Sequence, residues 1–353
     1  MHAYAGETQP METTDRIPYA LTAYGLPHSM GYLPTKSGIK RPVPLSLVDL
    51  MDLAQSEGLA GVEFPLLSLV PSFDGALVDV GKAQQDIAGE VKRRGLRLIA
   101  DYGALLDNEP DHLKEYLALA ARTGANVVRA TLSHILCGDR RHLAGGWSAH
   151  LAALAERLNA VLPFAEALGV CIAVENHQDA TTEDLLELAE RTDNHRAFGI
   201  TLDTGNPLAV GQDPVEAARQ LAPIIRHVHL KDYTVHFSPE GYRLVRCAAG
   251  DGAVDFPAIL EAVRKNGHDV LPGIEIAAQA TRTIPLLDAG WWAEYPPREA
   301  RQLIPALQVV WKHGRPFGEP YSSAWERGEE SDAVAAEEID VVRRSAAYFR
   351  GLH

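Results

Sequence analysis

The feature that most constrains the fold of this 353-residue chain is a regular alternation of short β-rich runs with longer helical patterns. Several of the β-rich runs are nearly continuous Val, Ile and Leu, which is typical of strands buried on both faces of a parallel sheet. The predicted strands cover residues 17–24, 61–66, 97–103, 126–133, 171–176, 198–205, 225–232 and 272–278. Alternating strands and helices imply a parallel sheet with helices packed on it.

Amphipathic helices are predicted between these strands, because apolar residues recur there with helical spacing. The clearest patterns lie in residues 45–58, 112–124, 149–169, 181–190 and 298–311. Pro163 lies inside the third pattern and predicts a bend or an interruption of that helix. Eight strand–helix units favour an α/β fold of the closed (β/α)8 TIM barrel type over the alternative, an open Rossmann-like sheet. No GxGxxG sequence follows any of the predicted strands, which also argues against the open sheet.

Two segments are longer than the repeat requires. Residues 233–253 predict an extended loop between the seventh strand and the seventh helix, and the chain continues well beyond the eighth unit. We therefore expect a barrel catalytic domain over residues 17–312. A flexible N-terminal tail is expected over residues 1–16, and a C-terminal extension with a terminal helix over residues 313–353.

Composition and charge exclude several classes of function. The 47 Asp and Glu outnumber the 33 Lys and Arg, and the resulting net charge of −14 argues against a nucleic-acid partner. No apolar stretch is long enough to cross a membrane, and residues 1–16 lack the apolar core of a signal peptide. The three cysteines, Cys137, Cys171 and Cys247, are too far apart for a CxxC pair. We therefore expect a cytoplasmic protein with no nucleic-acid and no membrane partner.

Polar side chains end four consecutive predicted strands that are otherwise apolar: Glu175, Asp203, His229 and Glu275. Taken singly, each could be a helix-capping carboxylate or a hydrogen-bonded core histidine. Active sites of TIM barrels lie at the carboxyl ends of the strands, so the four side chains are expected to converge there. Three converging carboxylates repel each other unless a cation lies between them. Oxygen donors with one imidazole and no thiolate predict one divalent metal ion, Mn²⁺ first, with Mg²⁺ or Co²⁺ as alternatives.

The sequences VEN, LDTGN and HVHLKD at three of these strand ends, with the last strand's glutamate and GDGAVDF at 250–256, resemble the xylose-isomerase-like barrel superfamily. That group includes sugar-phosphate isomerases and epimerases, tagatose/psicose-type epimerases and inosose dehydratases. The resemblance covers residues 17–278. It implies that Glu175, Asp203, His229 and Glu275 are the metal ligands, and that Glu175 and Glu275 also act as acid and base. The epimerases place a histidine where this chain has Asn206, which argues against a simple ketose 3-epimerase.

Further polar residues near the strand ends are candidates for binding the substrate or for moving its proton. His142, in the long loop after the fourth strand, is a candidate catalytic base, since a histidine titrates near neutral pH. The candidate substrate-binding residues are His28, Glu63, Arg129, His177, Asn206 and Lys231, and His134 is a further candidate of the same kind. Each of them could instead be an ordinary surface or supporting residue. Lys231 could offset the charge of the carboxylates, and Arg129 could pair with them.

The predicted function is that of a divalent-metal-dependent enzyme acting on a sugar or keto-sugar by proton abstraction next to a carbonyl, as an isomerase or epimerase through an enediolate. The alternative is a lyase that cleaves 3-oxo-(C-)glycosides by β-elimination. The long loops and the C-terminal addition resemble the α subunit of metal-dependent C-glycoside deglycosidases, which act beside a small β subunit. A nuclease of the AP-endonuclease branch is a third reading, disfavoured by the net charge, and a silent sugar-binding barrel is a fourth. The expected assembly is a homo-oligomer, or a hetero-oligomer with a small β subunit.

Overall fold

The computed structural model describes residues 17–66, 80–276, 280–316 and 322–352. The predicted N-terminal tail and the last two residues of the predicted strand 272–278 lie outside these residues. Within the described part, none of the helices combines the length and the apolar content that a bilayer crossing requires.

Eight parallel strands close into a barrel, which confirms the predicted (β/α)8 TIM barrel. Its strands are β1 (Ala20–Thr22), β2 (Gly61–Pro65), β3 (Arg97–Ala104), β4 (Val127–Thr131), β5 (Cys171–Glu175), β6 (Phe198–Asp203), β7 (Ile225–Leu230) and β10 (Pro272–Ile274). Neighbouring strands along the chain are also neighbours in the barrel, and β10 closes it by pairing with both β7 and β1. The carboxyl ends of all eight strands therefore meet at one mouth.

Nine helices accompany the strands in the described residues. They are α1 (Leu47–Ser56), α2 (Val80–Arg93), α3 (Pro110–Thr123), α4 (Trp147–Ala167), α5 (Thr182–Arg191), α6 (Pro214–Leu221), α7 (Phe256–Arg264), α8 (Ala300–His313) and α9 (Ser331–Arg350). Local sequence explains several of their ends. Ser46 caps α1 and Thr181 caps α5, each in a capping box with an aspartate three residues later, and Gly124 ends α3 in the left-handed conformation. Helix α4 runs through Pro163 without interruption.

The long connection after β7 forms a β-hairpin where an extended loop was predicted. Its strands β8 (Asp232–Ser238) and β9 (Gly241–Cys247) pair in antiparallel fashion, and β11 (Arg282–Ile284) and β12 (Gly314–Arg315) flank them. The four strands make a second sheet with its own apolar cluster, which includes Tyr233, Leu244 and Trp291. The hairpin begins directly after Lys231, so the second sheet rises from the mouth of the barrel.

The helix predicted over residues 298–311 is present as α8, but it does not complete the eighth barrel unit. Val310 of α8 belongs to the apolar cluster of the second sheet. The barrel instead receives α9, whose Val342, Ala346 and Phe349 lie in the main hydrophobic core. The ring of Phe349 packs 4.9 Å from that of Tyr19, close to the start of β1. The C-terminal helix therefore takes the position between the last and the first barrel strands.

Candidate metal centre

Four buried side chains converge at the barrel mouth: Glu175, Asp203, His229 and Glu275. Each comes from the end of a different strand, and the order β5, β6, β7, β10 around the barrel places these strands side by side. The register of β6 and β7 pairs Asp203 with His229. One ligand atom from each residue lies within 4.8 Å of the others, so the four residues could hold a single ion. We refer to these four residues as the metal group.

Glu63 on β2 sets the orientation of the His229 imidazole. Nε2 of His229 lies 2.9 and 3.0 Å from the two carboxylate oxygens of Glu63. A carboxylate of low pKa only accepts hydrogen bonds, so Nε2 carries the proton and donates it. Nδ1 therefore faces the metal group, 3.5 Å from Glu275 and 3.7 Å from Glu175. It is buried and has no hydrogen-bond partner among the described residues. A histidine held through one nitrogen by a carboxylate, with the other nitrogen available, is typical of metal sites.

The same carboxylate also binds a second histidine that the sequence reasoning missed. Nε2 of His227 lies 2.6 Å from Glu63, and Glu63, His227 and His229 form a second buried group of possible ligands. The oxygens of Glu63 are thus already engaged by two imidazoles. Their charges outweigh the effect of burial and lower the pKa of Glu63. His227 alternates with His229 along β7, so the two-residue period of a strand could have indicated that both face the barrel interior.

Arg129 holds Glu175 in place. Its Nε lies 2.5 Å from Oε2 of Glu175, and its Nη2 contacts the same oxygen. Nη1 of Arg129 donates to Asp101 at 2.8 Å, and Asn206 donates to the other oxygen of Glu175 at 3.3 Å. Burial alone raises the pKa of Glu175, but the charges of Arg129 and His229 outweigh it and hold the pKa well below its usual range. Asp101 was also missed, although it ends an apolar run on β3 just as the four ligands end theirs.

Lys231 lies between two of the carboxylates. Its Nζ is 2.5 Å from Asp203 and 2.7 Å from Glu275. The other oxygen of Asp203 accepts the backbone N–H groups of Gly205 and Asn206 at 3.0 and 3.2 Å. Burial raises the pKa of Glu275 to about 7, with Lys231 and His229 acting in the opposite direction. Glu275 is thus the least restrained carboxylate of the metal group.

The residues present fit a divalent cation. The metal group supplies three carboxylates and Nδ1 of His229, which has no hydrogen-bond partner among the described residues. Burial opposes the charged imidazolium, yet the carboxylates of Glu63 and Glu175 raise the pKa of His229 well above its ordinary value. A proton and a metal ion would therefore compete for Nδ1, and metal binding would release a proton. The donor set suits an ion that prefers oxygen with some nitrogen.

The remaining predicted site residues occupy other positions. His177 follows Glu175 by two residues, and its Nδ1 is buried without a partner among the described residues. The ring of His28 binds the Leu33 carbonyl at 2.9 Å and the Ser331 hydroxyl at 2.8 Å, so it ties the loop after β1 to α9. His134 is exposed and pairs with Asp107, and His142 is also exposed; the two histidines line one surface cavity. The structure does not bring these last three histidines to the metal group.

Comparison with known proteins identifies the family. The family model described as "Xylose isomerase-like TIM barrel" matches residues 51–302. An uncharacterised protein of Escherichia coli K12, YihM, is 24% identical over 263 residues, covering 73% of this chain and 72% of YihM. The 3-oxo-isoapionate decarboxylase of Pectobacterium atrosepticum is 27% identical over 164 residues, covering 45% of this chain and 55% of the enzyme. An inosose dehydratase of Clostridium botulinum is 30% identical over 130 residues, covering 33% and 43%. The chain thus matches about half the length of the two named enzymes.

Proposed function

Because the chain belongs to the xylose isomerase-like TIM barrel family, we propose that it is a sugar-modifying enzyme that abstracts a proton next to the carbonyl of a sugar or keto-sugar. Glu175, Asp203, His229 and Glu275 would hold one divalent ion, with Mn²⁺ as the first choice. The observation that carries the proposal is the convergence of these four ligand atoms within 4.8 Å. When bound, such an ion polarises a carbonyl and stabilises negative charge on its oxygen.

The contacts of the two glutamates support different roles for them. Glu175 is held by Arg129 and Asn206, so its carboxylate is fixed and serves to bind and orient. Glu275 contacts Lys231 and is 7% exposed, whereas Glu175 is fully buried. A base must reach a carbon-bound proton of the substrate, and the less restrained, more exposed carboxylate can do so. We therefore assign proton transfer to Glu275.

Neighbouring residues support this transfer. The ammonium of Lys231 lies 2.7 Å from Glu275, where it keeps positive charge beside the base and can donate to a substrate oxygen. Asn206 is engaged with Glu175 through its amide nitrogen, but its Oδ1 is buried without a partner among the described residues. That oxygen is available to accept a substrate hydroxyl. Asn206 is thus suited to orienting the substrate.

The proposal is tested by isotope exchange. The purified protein loaded with Mn²⁺ is incubated with a panel of keto-sugars in D₂O, and deuterium next to the carbonyl is followed by NMR. We expect exchange in the native protein and a loss of about 100-fold or more in Glu275→Gln, because general base catalysis contributes on that order. Glu261→Gln is the matched control, since Glu261 lies exposed on α7 and pairs only with Lys265 in the described part.

Two outcomes would contradict the proposal. Full exchange in Glu275→Gln with bound metal retained would remove Glu275 from proton transfer. A protein that binds no divalent ion at neutral pH, or that exchanges at the same rate after chelation, would remove the metal from the reaction.

Elimination is the second candidate for the step after proton removal. The relative named inosose dehydratase favours it, because dehydration next to a carbonyl removes a carbon-bound proton and then releases a hydroxyl group as water. Asn206, where the epimerases have histidine, favours it as well. Mass spectrometry of the products separates the two fates, since isomerisation conserves the mass and elimination loses the leaving group. The lyase alternative, which acts on 3-oxo-(C-)glycosides, is tested by measuring release of the aglycone. Light scattering of the same protein tests the expected homo-oligomer, and adding a small second subunit tests whether the lyase activity requires it.

A further inference from the structure

We propose that the substrate carries an anionic substituent, a carboxylate or a phosphate, which Arg282 binds at the mouth of the barrel with Arg246 beside it. The inference rests on the proposed function, because it defines the substrate class of the same site. Arg282 lies on β11 and Arg246 on β9, so both belong to the second sheet and not to the metal group.

The pairing of the second sheet places both arginines on the face that covers the site. Arg246 is opposite Tyr233 and Arg282 is opposite Leu244, and residues directly opposite in an antiparallel pair share a face. Leu244 and Arg246 are two residues apart on one strand, so all four side chains lie on the same face. Tyr233 packs so closely on Gly205 that a Cβ there would lie 2.6 Å from its ring. Since Gly205 binds Asp203, this face looks towards the metal group.

Arg246 also has a direct link to the barrel mouth. Its Nη1 donates to the Ile276 carbonyl at 2.6 Å, one residue beyond Glu275. Arg282 lies opposite Leu244, two residues before Arg246 on β9, so the two arginines are neighbours on one face of the second sheet. Arg246 therefore ties this face to the end of β10, with Arg282 next to it.

Arg282 lacks a counter-charge within the part of the chain that is described. No described carboxylate lies within salt-bridge distance of it, and its Nε is buried without an acceptor. Arg243, on the opposite face of the same sheet, shows the ordinary situation: it donates to Thr281 at 2.9 Å and lies 3.8 Å from Glu326. A buried donor without an acceptor costs free energy, and an oxyanion of a ligand would supply the missing acceptor.

The charges around the site point to the same conclusion. The mouth holds five buried carboxylates, which are the three of the metal group together with Glu63 and Asp101. A bound dication, Lys231 and Arg129 would supply four positive charges. Arg246 and Arg282 raise that number to six and leave the charge of one guanidinium in excess, although the whole chain carries a net charge of −14. A neutral sugar would leave that guanidinium uncompensated, whereas a sugar acid or sugar phosphate would pair with it.

The test compares three probes of similar shape on the Mn²⁺-loaded full chain by calorimetry: D-glucose, D-glucuronate and D-glucose 6-phosphate. We expect at least one anionic probe to bind about tenfold more tightly than glucose, as a charge-assisted pair contributes. The anionic probe that binds more tightly shows whether the substituent of the substrate is a carboxylate or a phosphate. Arg282→Gln should abolish the preference, and Arg243→Gln, on the other face of the sheet, should keep it.

Three results would overturn the inference: equal affinities for all three probes, a preference that persists in Arg282→Gln, or no binding of either anion up to its solubility limit. The second result would mean that the anion binds elsewhere, for example on the metal itself. Metal titration of the same samples separates this failure from that of the proposed function. A protein that binds Mn²⁺ but does not prefer anions contradicts only the present inference.

Discussion

Removing the charge of Glu63 tests how strongly the metal group depends on the orientation of His229. Glu63 accepts hydrogen bonds from Nε2 of His229 at 2.9 and 3.0 Å and from Nε2 of His227 at 2.6 Å. In Glu63→Gln one carbonyl oxygen must serve two imidazoles, and the amide NH₂ faces a nitrogen that also carries a proton. One histidine therefore loses its bond or changes its tautomer. If His229 moves its proton to Nδ1, the lone pair directed at the metal group is lost.

The expected cost follows from this geometry. Loss of the carboxylate that orients a ligating histidine typically weakens metal binding by about 10- to 100-fold, which corresponds to roughly 1.4 to 2.7 kcal/mol. We expect the upper part of that range, because both short contacts to His229 involve the same carboxylate. The number of protons released on metal binding should also change, since Glu63 is one of the groups that raise the pKa of His229.

The measurement is calorimetric titration of metal-free protein with Mn²⁺ at neutral pH, in two buffers of different ionisation enthalpy. Glu338→Gln serves as the matched control, because Glu338 lies on α9 and accepts hydrogen bonds from the backbone of His28 and Ser29. Denaturant unfolding shows whether each variant is folded. A folded Glu63→Gln protein with native Mn²⁺ affinity and native proton release would refute the role given to Glu63.

Three further predictions concern the buried charges and the tight turns. Arg129→Gln leaves two buried carboxylates without a counter-charge and should lower the free energy of unfolding of the metal-free protein by about 3 to 5 kcal/mol; a loss well below 1 kcal/mol in urea denaturation would contradict this. Burial raises the pKa of Asp179 to about 7, so the folded state loses stability as the pH rises from about 4 to about 7. Asp179→Asn should therefore stabilise the protein by about 2 to 4 kcal/mol near pH 8 and by much less near pH 4, and a gain independent of pH would contradict the reasoning. Gly252→Ala places a Cβ 2.2 Å from Asp232 and should lower the free energy of unfolding by about 1 to 3 kcal/mol. Gly89→Ala, in an open position inside α2, should raise it by about 0.5 to 1 kcal/mol. Equal shifts of the melting temperature in the two variants would contradict the packing argument.

The barrel and the metal group were predictable from the sequence because both follow from local patterns. Each of the four ligands ends an apolar strand, and the topology of a closed parallel barrel then brings the strand ends together. The same rule applies to Asp101 on β3, which was overlooked. It says nothing about which polar residue binds metal and which one supports it. Glu63 and Glu275 both lie at the barrel interior, and only the three-dimensional contacts show that Glu63 faces two histidines.

Residues on connections were harder to predict. His142 was a candidate base because it follows a strand end, but the chain turns through a short helical turn at Arg140–His142 and leaves the side chain exposed. The buried Arg140 lies in that turn, 4.0 Å from the rings of both Trp147 and Tyr295. Tyr295 is distant in sequence, so its contact with this loop has no local sequence signal. The hairpin after Lys231 did have a signal, since residues 232–238 and 241–247 are separated by the two-residue turn at 239–240 and carry alternating apolar side chains.

Helix α9, and not α8, packs between β10 and β1. This shows that a helical sequence pattern does not by itself tell which surface the helix packs on. Both α8 and α9 are amphipathic, and the order of the chain favours α8 as the partner of β10. The second sheet, however, presents its own apolar surface, formed by residues such as Val235 and Ile284, and Val310 of α8 packs there. The barrel surface next to Tyr19 is then left for Phe349 of α9. The packing of α8 thus depends on the second sheet, which also carries Arg246 and Arg282. Because α8 packs on that sheet, the chain needs a further helix, α9, to cover the barrel.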